Sequence, residues 1–255
     1  MKKRSLRHDN SGQVIIITAL LVASLLLSTA IYVIETEKTV PTAGAGGNNF
    51  LPQYEQSSES TLISALANVT NGGNPDVLTS DLNDLDSVIT SLSYQAIVQM
   101  NYTPLNDASY QNGIWISWGT DGQGISSAYV SFVFNSSAAS ATSNLAFDSN
   151  VTTEADVKGN YQQLDSGLTQ VNLTVNVLNE GNPALAQNFV FYFENANEGW
   201  TQANFPLIND FGNGTYAVSF TAQTDQLSSP LAVSTLCQDQ RGITVEANVT
   251  CSGSG

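Results

Sequence analysis

The chain has 255 residues, with 22 acidic against 7 basic side chains and a net charge of −15. A surface of that sign repels phosphate, so nucleic acid is excluded as a partner, and an anionic leaflet does not hold the chain by charge. Charged residues make up only 11% of the composition. Asn, Ser, Thr and Gly take their place, the mix of a β-rich body solvated by hydroxyls and amides outside the cytoplasm.

Residues 1–12 form a basic leader containing Lys2, Lys3, Arg4 and Arg7. The stretch VIIITALLVASLLLSTAIYVI (residues 14–34) then runs apolar and uncharged for about 20 residues, the length a helix needs to cross a bilayer. This predicts a transmembrane helix over residues 13–35. Downstream only Lys38, Lys158 and Arg241 are cationic. The positive-inside bias holds the leader in the cytoplasm and sends the rest outward, a single-pass topology with membrane lipid as first partner. The leader to Asp9 contributes +3 (four Lys/Arg less Asp9), so the exported remainder carries −18.

Three fates of this segment stay open. An uncut signal anchor fits the length of the run, which exceeds the roughly 7–15 residues of a cleavable signal. Ser28-Thr29-Ala30 has the small-x-small form of a signal peptidase site, and a cut there releases a secreted product. Ser11-Gly12-Gln13-Val14 sets Gly and Gln directly before the apolar run. That pattern resembles the class III leader of archaeal type IV pilin-like proteins and the N-terminus of Tad-type pilus-associated proteins, with Ile17 where many pilins carry Glu. The resemblance covers residues 12–34. It implies cleavage between Gly12 and Gln13 and packing of the apolar helix, copy against copy, into a surface filament.

Residues 36–56 include the Gly-rich stretch from Pro41 to Asn49 and read as a flexible linker. From Ser57 the period turns helical, with Leu62, Leu66 and Val69 on one face, until Asn71-Gly-Gly-Asn-Pro75 breaks it. Leu78, Leu82, Leu85, Ile89, Leu92 and Ala96 then recur at steps of four and three. A helical hairpin over residues 57–100 follows. Asp81, Asp84 and Asp86 lie in this helical pattern, a solvated face rather than a calcium loop, which needs its ligands and a Gly in a turn.

Residues 101–160 read as β-rich. Ile114, Ile116 and Trp118 alternate with Trp115 and Ser117, the stretch Gly119 to Gly124 turns the chain, and Tyr129 to Phe134 are β-prone. Trp115 and Trp118 form either an aromatic binding platform or hairpin packing. Residues 135–150, poor in large apolar side chains, read as looser, and Val151 to Leu164 as an edge strand.

Beyond residue 160 the fold signal is strongest. Val171, Leu173, Val175 and Val177 alternate with Asn172, Thr174 and Asn176, a strand with one buried and one wet face. Phe189 to Phe193 is a second strand with Trp200 packing near it, and Thr215 to Phe220 a third, with Tyr216 and Val218 in the core. Leu231 to Cys237 and Ile243 to Val249 form a hairpin, with Ile243, Val245, Ala247 and Val249 inward. Its geometry holds Cys237 and Cys251 roughly 25 Å apart at about 3.3 Å per residue, beyond the roughly 7 Å limit of a disulfide, so no bridge is expected. Short strands broken by turns argue for a β-sandwich. The run DFGNGTYAVSF resembles the D-x-G-x-G-T-Y-x-V-x-F strand opening of filamin-type and bacterial immunoglobulin-like domains, in which a hairpin like LAVSTLCQDQRGITVEANV closes the sandwich. It implies an Ig-like β-sandwich over residues 161–255, in modules that serve as spacers, adhesins or carbohydrate binders. The fold expected is thus mainly β, with an N-terminal transmembrane helix and a helical hairpin ahead of that sandwich.

The only histidine is His8, on the cytoplasmic side of the apolar run. Histidine-based nucleophile activation and His-metal chemistry are therefore excluded outside, and no phosphate-binding loop is present. A non-enzymatic protein without cofactor or metal is expected. Sequons at Asn68, Asn101, Asn135, Asn150, Asn172, Asn213 and Asn248 permit N-glycans on an exported face. Two functions compete: an anchored cell-surface module for envelope structure or adhesion, meeting other envelope proteins or cell-surface glycans, and a pilin-like subunit that meets copies of itself.

Overall fold

The computed structural model describes residues 51–92, 97–119, 121–138, 141–164, 167–195, 199–224 and 230–253. The leader, Gly12, Gln13, the apolar run and the Gly-rich stretch lie outside the described residues. No helix among the described ones is long and apolar enough to cross a membrane.

The described residues are mainly β, with two helices ahead of twelve strands. Helix α1 (Leu51–Thr70) and helix α2 (Val77–Leu92) form the expected hairpin. Leu62, Leu66, Leu78 and Leu82 are fully buried, as their period requires. Residues 51–56, read as tether, are helical, because Tyr54 has a partner: its ring stacks on Phe134 at 4.8 Å. At the other end residues 97–100 are strand rather than helix. Val98 and Met100 are buried between exposed Ile97, Gln99 and Asn101, so the period there is two.

Strands β1 (Ile97–Pro104) and β2 (Ile114–Trp118) both pair with β3 (Gln123–Ala138), which pairs in turn with β4 (Ala141–Gln163). The β3–β4 register runs unbroken from Gln123↔Asp156 to Ala138↔Ala141. Residues 135–138 and 141–150 are therefore not a loose stretch but the paired ends of two long strands, whose inner face stacks Phe132, Phe134 and Phe147. Nor is β4 an edge: its second half pairs from Thr153 to Gln163 with β5 (Leu168–Asn179). The strand crosses the boundary expected at residues 160/161.

There follow β6 (Asn182–Pro183), β7 (Ala186–Asn195), β8 (Gly199–Gln202), β9 (Leu207–Asp210), β10 (Thr215–Gln223), β11 (Leu231–Asp239) and β12 (Thr244–Gly253). Hydrogen bonding follows the path β8-β7-β11-β12-β4-β5-β10-β9. The β12–β4 link is parallel and only two pairs long, Ser252↔Asn160 and Gly253↔Tyr161. There the path folds over on itself. Phe191 and Phe193 of β7 meet Phe220 of β10 at 6.1 and 6.3 Å, and Phe189 meets Tyr216 at 4.7 Å. Two layers thus enclose one core, with Val171, Leu173, Val175, Val177, Tyr216 and Val218 buried as their alternation predicts.

One face of β4 serves two cores. Leu145, Phe147 and Val151 lie under the helices with Val130 and Phe132. Further along the same face, Ala155 and Val157 lie under β7, β11 and β12. Where β12 crosses, a Cβ at Gly124 would meet the carbonyl oxygen of Glu246, and one at Gly159 the sulfur of Cys251. Only glycine allows that approach.

The β11–β12 hairpin has the expected strands, with Cys237 opposite Val245 and Cys251 opposite Leu231. Both thiols are free, and the register sets them about 20 Å apart. Val245 and Ala247 point between the layers, with Val249 partly buried beside them. Ile243 does not: it lies at the turn and is buried in the helical core. Trp200, opposite Glu194 on edge strand β8, is half exposed rather than packed.

Candidate functional site

Because side chains alternate along β3, burial of Ala128, Val130 and Phe132 sends Ser127, Tyr129 and Ser131 to the opposite face, where Ser127 is itself buried and Tyr129 and Ser131 are partly exposed. Register brings Trp115 and Thr152 beside Ser127, Asn150 beside Tyr129, and Asp148 beside Ser131. Tyr110 joins from the preceding loop, its ring 5.6 Å from Trp115 and 6.2 Å from Tyr129. The Tyr110 hydroxyl lies 2.9 Å from Ser127 Oγ, which donates to Asn150 Oδ1 at 3.1 Å. Ser131 Oγ donates to Asp148 at 2.7 Å. Donation from Ser131 and Tyr129 holds the Asp148 carboxyl below its usual range, and the bond to Asp148 pushes the Tyr129 phenol up.

The tryptophan platform is corrected by the period of β2. Trp115 and Trp118 are three positions apart on a strand and face opposite ways; Trp118 shares its side with Ile114, which packs on the helical core. Trp115 instead joins Tyr110 and Tyr129. Tyr110 escaped notice in a loop, although Asp107 marks it: Asp107 Oδ1 accepts the N–H groups of Ser109 and Tyr110 at 2.7 and 2.8 Å. Those bonds hold the Asp107 carboxyl low. They turn the chain so that the ring reaches the sheet.

A second surface is the open side of the two layers. Strands β8 and β9 end the hydrogen-bonded path and are joined by residues 203–206. Trp200, Phe205, Leu207 and Phe211 are exposed there. Across the open face of the sheet, Lys158, Asn160, Asn172, Asn209 and Leu207 rim a shallow groove floored by Ala217 and Ser219.

The sequons are scattered. Asn68, Asn101, Asn150, Asn172 and Asn213 are exposed, and Asn135 and Asn248 half-buried. Asn248 Oδ1 is buried without a partner, and the Asn248 backbone bonds the β2–β3 turn at Gly119 and Gly122. Asp81, Asp84 and Asp86 remain on α2; burial, then the charge of Asp84, raises the Asp81 carboxyl. Among the described residues no group of three or more His, Cys, Asp or Glu could hold a metal ion.

The most complete polar cluster was not foreseen. Asp239, fully buried, accepts the backbone N–H groups of Arg241 and Ile243, the Thr153 hydroxyl at 2.9 Å and Arg241 Nε at 2.7 Å. Arg241 also donates to Glu180 Oε1 at 2.8 Å and to the Thr152 carbonyl at 3.0 Å. The cluster ties the last hairpin to β4 and to the β5–β6 turn. Burial pushes the Cys237 thiol up to about 12 and the Cys251 thiol to about 11, which makes both unreactive. No family model and no curated protein matches the chain.

Proposed function

We propose that this chain is a non-enzymatic, single-pass membrane protein that displays its β-rich body on the outer cell surface for envelope structure or adhesion. The observation that carries the reading is the apolar run 14–34 with four cations ahead of it and an acidic remainder behind it. Two layers around one core, with β9 and β10 opening as DFGNGTYAVSF does, support an Ig-like assignment of the C-terminal strands. The Tyr110, Trp115 and Tyr129 face supports contact with hydroxyl-rich surface glycans. Protease added to intact protoplasts should digest the chain beyond about Glu35 and spare the anchor; a protected body would exclude this topology.

A pilin-like filament subunit is the second reading, favoured by Gly12-Gln13 ahead of the unbroken apolar run. The first residue of the mature protein separates the two. Gln13 selects the filament, and a residue at or near Met1 the anchor.

A further inference from the structure

Burial of Val171 and Leu173 turns Asn172 and Thr174 to the open face of β5, and burial of Val218 and Phe220 does the same for Ala217 and Ser219 of β10. Register then aligns residues across four strands. Asn172 stands between Asn160 and Ser219, with Leu207 beyond, and Thr174 stands beside Ala217, with Asn209 beyond. At about 4.8 Å per strand the groove is roughly 14 Å wide. Its volume of about 500 Å³ falls among the roughly 300–1,000 Å³ of sites that hold small ligands. None of the described residues that line it is acidic, in a chain with 22 acidic side chains. Asn172-Leu173-Thr174 is also a sequon. Elsewhere the sequon amides are committed: Asn135 Oδ1 accepts from Asn144 Nδ2, Asn150 Oδ1 from the Ser127 and Thr152 hydroxyls and Asn213 Oδ1 from the Thr215 N–H, while Asn248 Oδ1 is buried. Of the other three, Asn68 packs against Gly73 and Asn101 lies on β1, whereas Asn172 lines the groove.

We propose that Asn172 carries an N-linked glycan that lies along this groove, a reading that rests on the export of the body proposed above. In the transfer Asn172 Nδ2 loses a proton to solvent and bonds the anomeric carbon of a lipid-phosphate-linked oligosaccharide. The bond from that carbon to the phosphate oxygen breaks, and the lipid phosphate leaves. The occupant follows from the attachment point, which stands inside the groove itself. Ala217 and Ser219 are short enough to leave room for sugar rings beside Asn172. Asn160, Ser219 and Asn209 supply donors and acceptors for ring hydroxyls, and Leu207, 71% exposed, offers an apolar surface to the ring C–H faces. Covalent attachment holds the sugar at high local concentration over the groove, so weak contacts suffice to seat it.

The test uses the full chain isolated from the membranes of its own cells. Glycopeptide mass spectrometry should find carbohydrate on Asn172, lost in Asn172→Gln and in Thr174→Ala and kept in Thr174→Ser, which preserves the sequon. The glycosylated chain should melt about 2–4 °C above Asn172→Gln. The pair Asn160→Ala/Leu207→Ser should abolish that difference while leaving the melting point of Asn172→Gln unchanged, as coupling between the sugar and the groove requires. An unmodified Asn172 on a body that added protease digests overturns the glycan alone. A body protected from protease overturns the outward topology and the glycan with it. A glycan on Asn172 that does not raise the melting point, or whose effect survives the paired substitution, overturns its seat in the groove.

Discussion

Arg241 is the only cation after Lys158, and its guanidinium is held by Asp239, Glu180 and the Thr152 carbonyl. Removing it leaves a carboxylate with no exposure facing no positive charge. Arg241→Ala is therefore expected to cost about 3 kcal/mol, read as a lowered urea midpoint with unchanged slope, and Asp239→Asn in the same chain should restore part of the loss. Val218, 2% exposed between β5 and β9, tests the core directly. Val218→Asp buries an unpaired charge and is expected to cost about 4 kcal/mol; a variant that melts like the parent would place that side chain outside the core. The thiols act at the alkaline end. Both are protonated in the fold and ionise more readily once released from it, so the stability they hold is complete below the ordinary thiol value of 9.0. It declines as pH rises toward about 11 for Cys251 and about 12 for Cys237. The unfolding temperature should fall above pH 9, and less steeply in Cys237→Ala/Cys251→Ala.

At the scale of the elements, β4 decides what can stand alone. A fragment of residues 165–253 contains every strand of the two-layer core except β4, which supplies Ala155 and Val157 and pairs with β5 along Thr153–Gln163. Without it Val171, Leu173 and Val175 lose their neighbours on one side. The fragment is expected to show no cooperative melt by circular dichroism, and a sharp transition would make β4 dispensable. The strands whose own residues carry a full alternation, β5 and β10, were legible in the sequence, as was the helical hairpin from its leucines. β4 was not. Its covered face is interrupted by Ser149, Thr153 and Gly159, so the apolar period fades although the strand does not. β1 was absorbed into the helix pattern because Val98 and Met100 prolong the apolar count; only their spacing of two separates them from it. At the aromatic face of β2 and β3 Trp115 was visible, but Tyr110 reaches it through a loop turned by Asp107, and such proximity leaves no periodic trace.

Across the described residues, one face of a long sheet is covered by helices at one end and by strands at the other, and the opposite face is left without a covering layer. Glycans fit that exposed face and the helix surface but not the crossing of β12 over the β2–β3 turn. Folded, exported chains are expected to carry no glycan at Asn248, checked by glycopeptide mass spectrometry, and a folded glycoform there would displace the β12 crossing. The helical core also depends on the last hairpin. Thr244 N–H donates to Thr70 Oγ1 at 3.1 Å, Asn71 Nδ2 donates to Gly242 O at 2.9 Å, and Ile243 is buried under the helices. Synthesis delivers these partners far apart in time. At about 5–20 residues per second, a gap of about 170 residues leaves α1 waiting roughly 10–35 s for its final contacts. A copy whose translation stops short of residue 242 completes neither core. Proteolysis at the surface can then tell an unfinished product from a finished one by its last dozen residues.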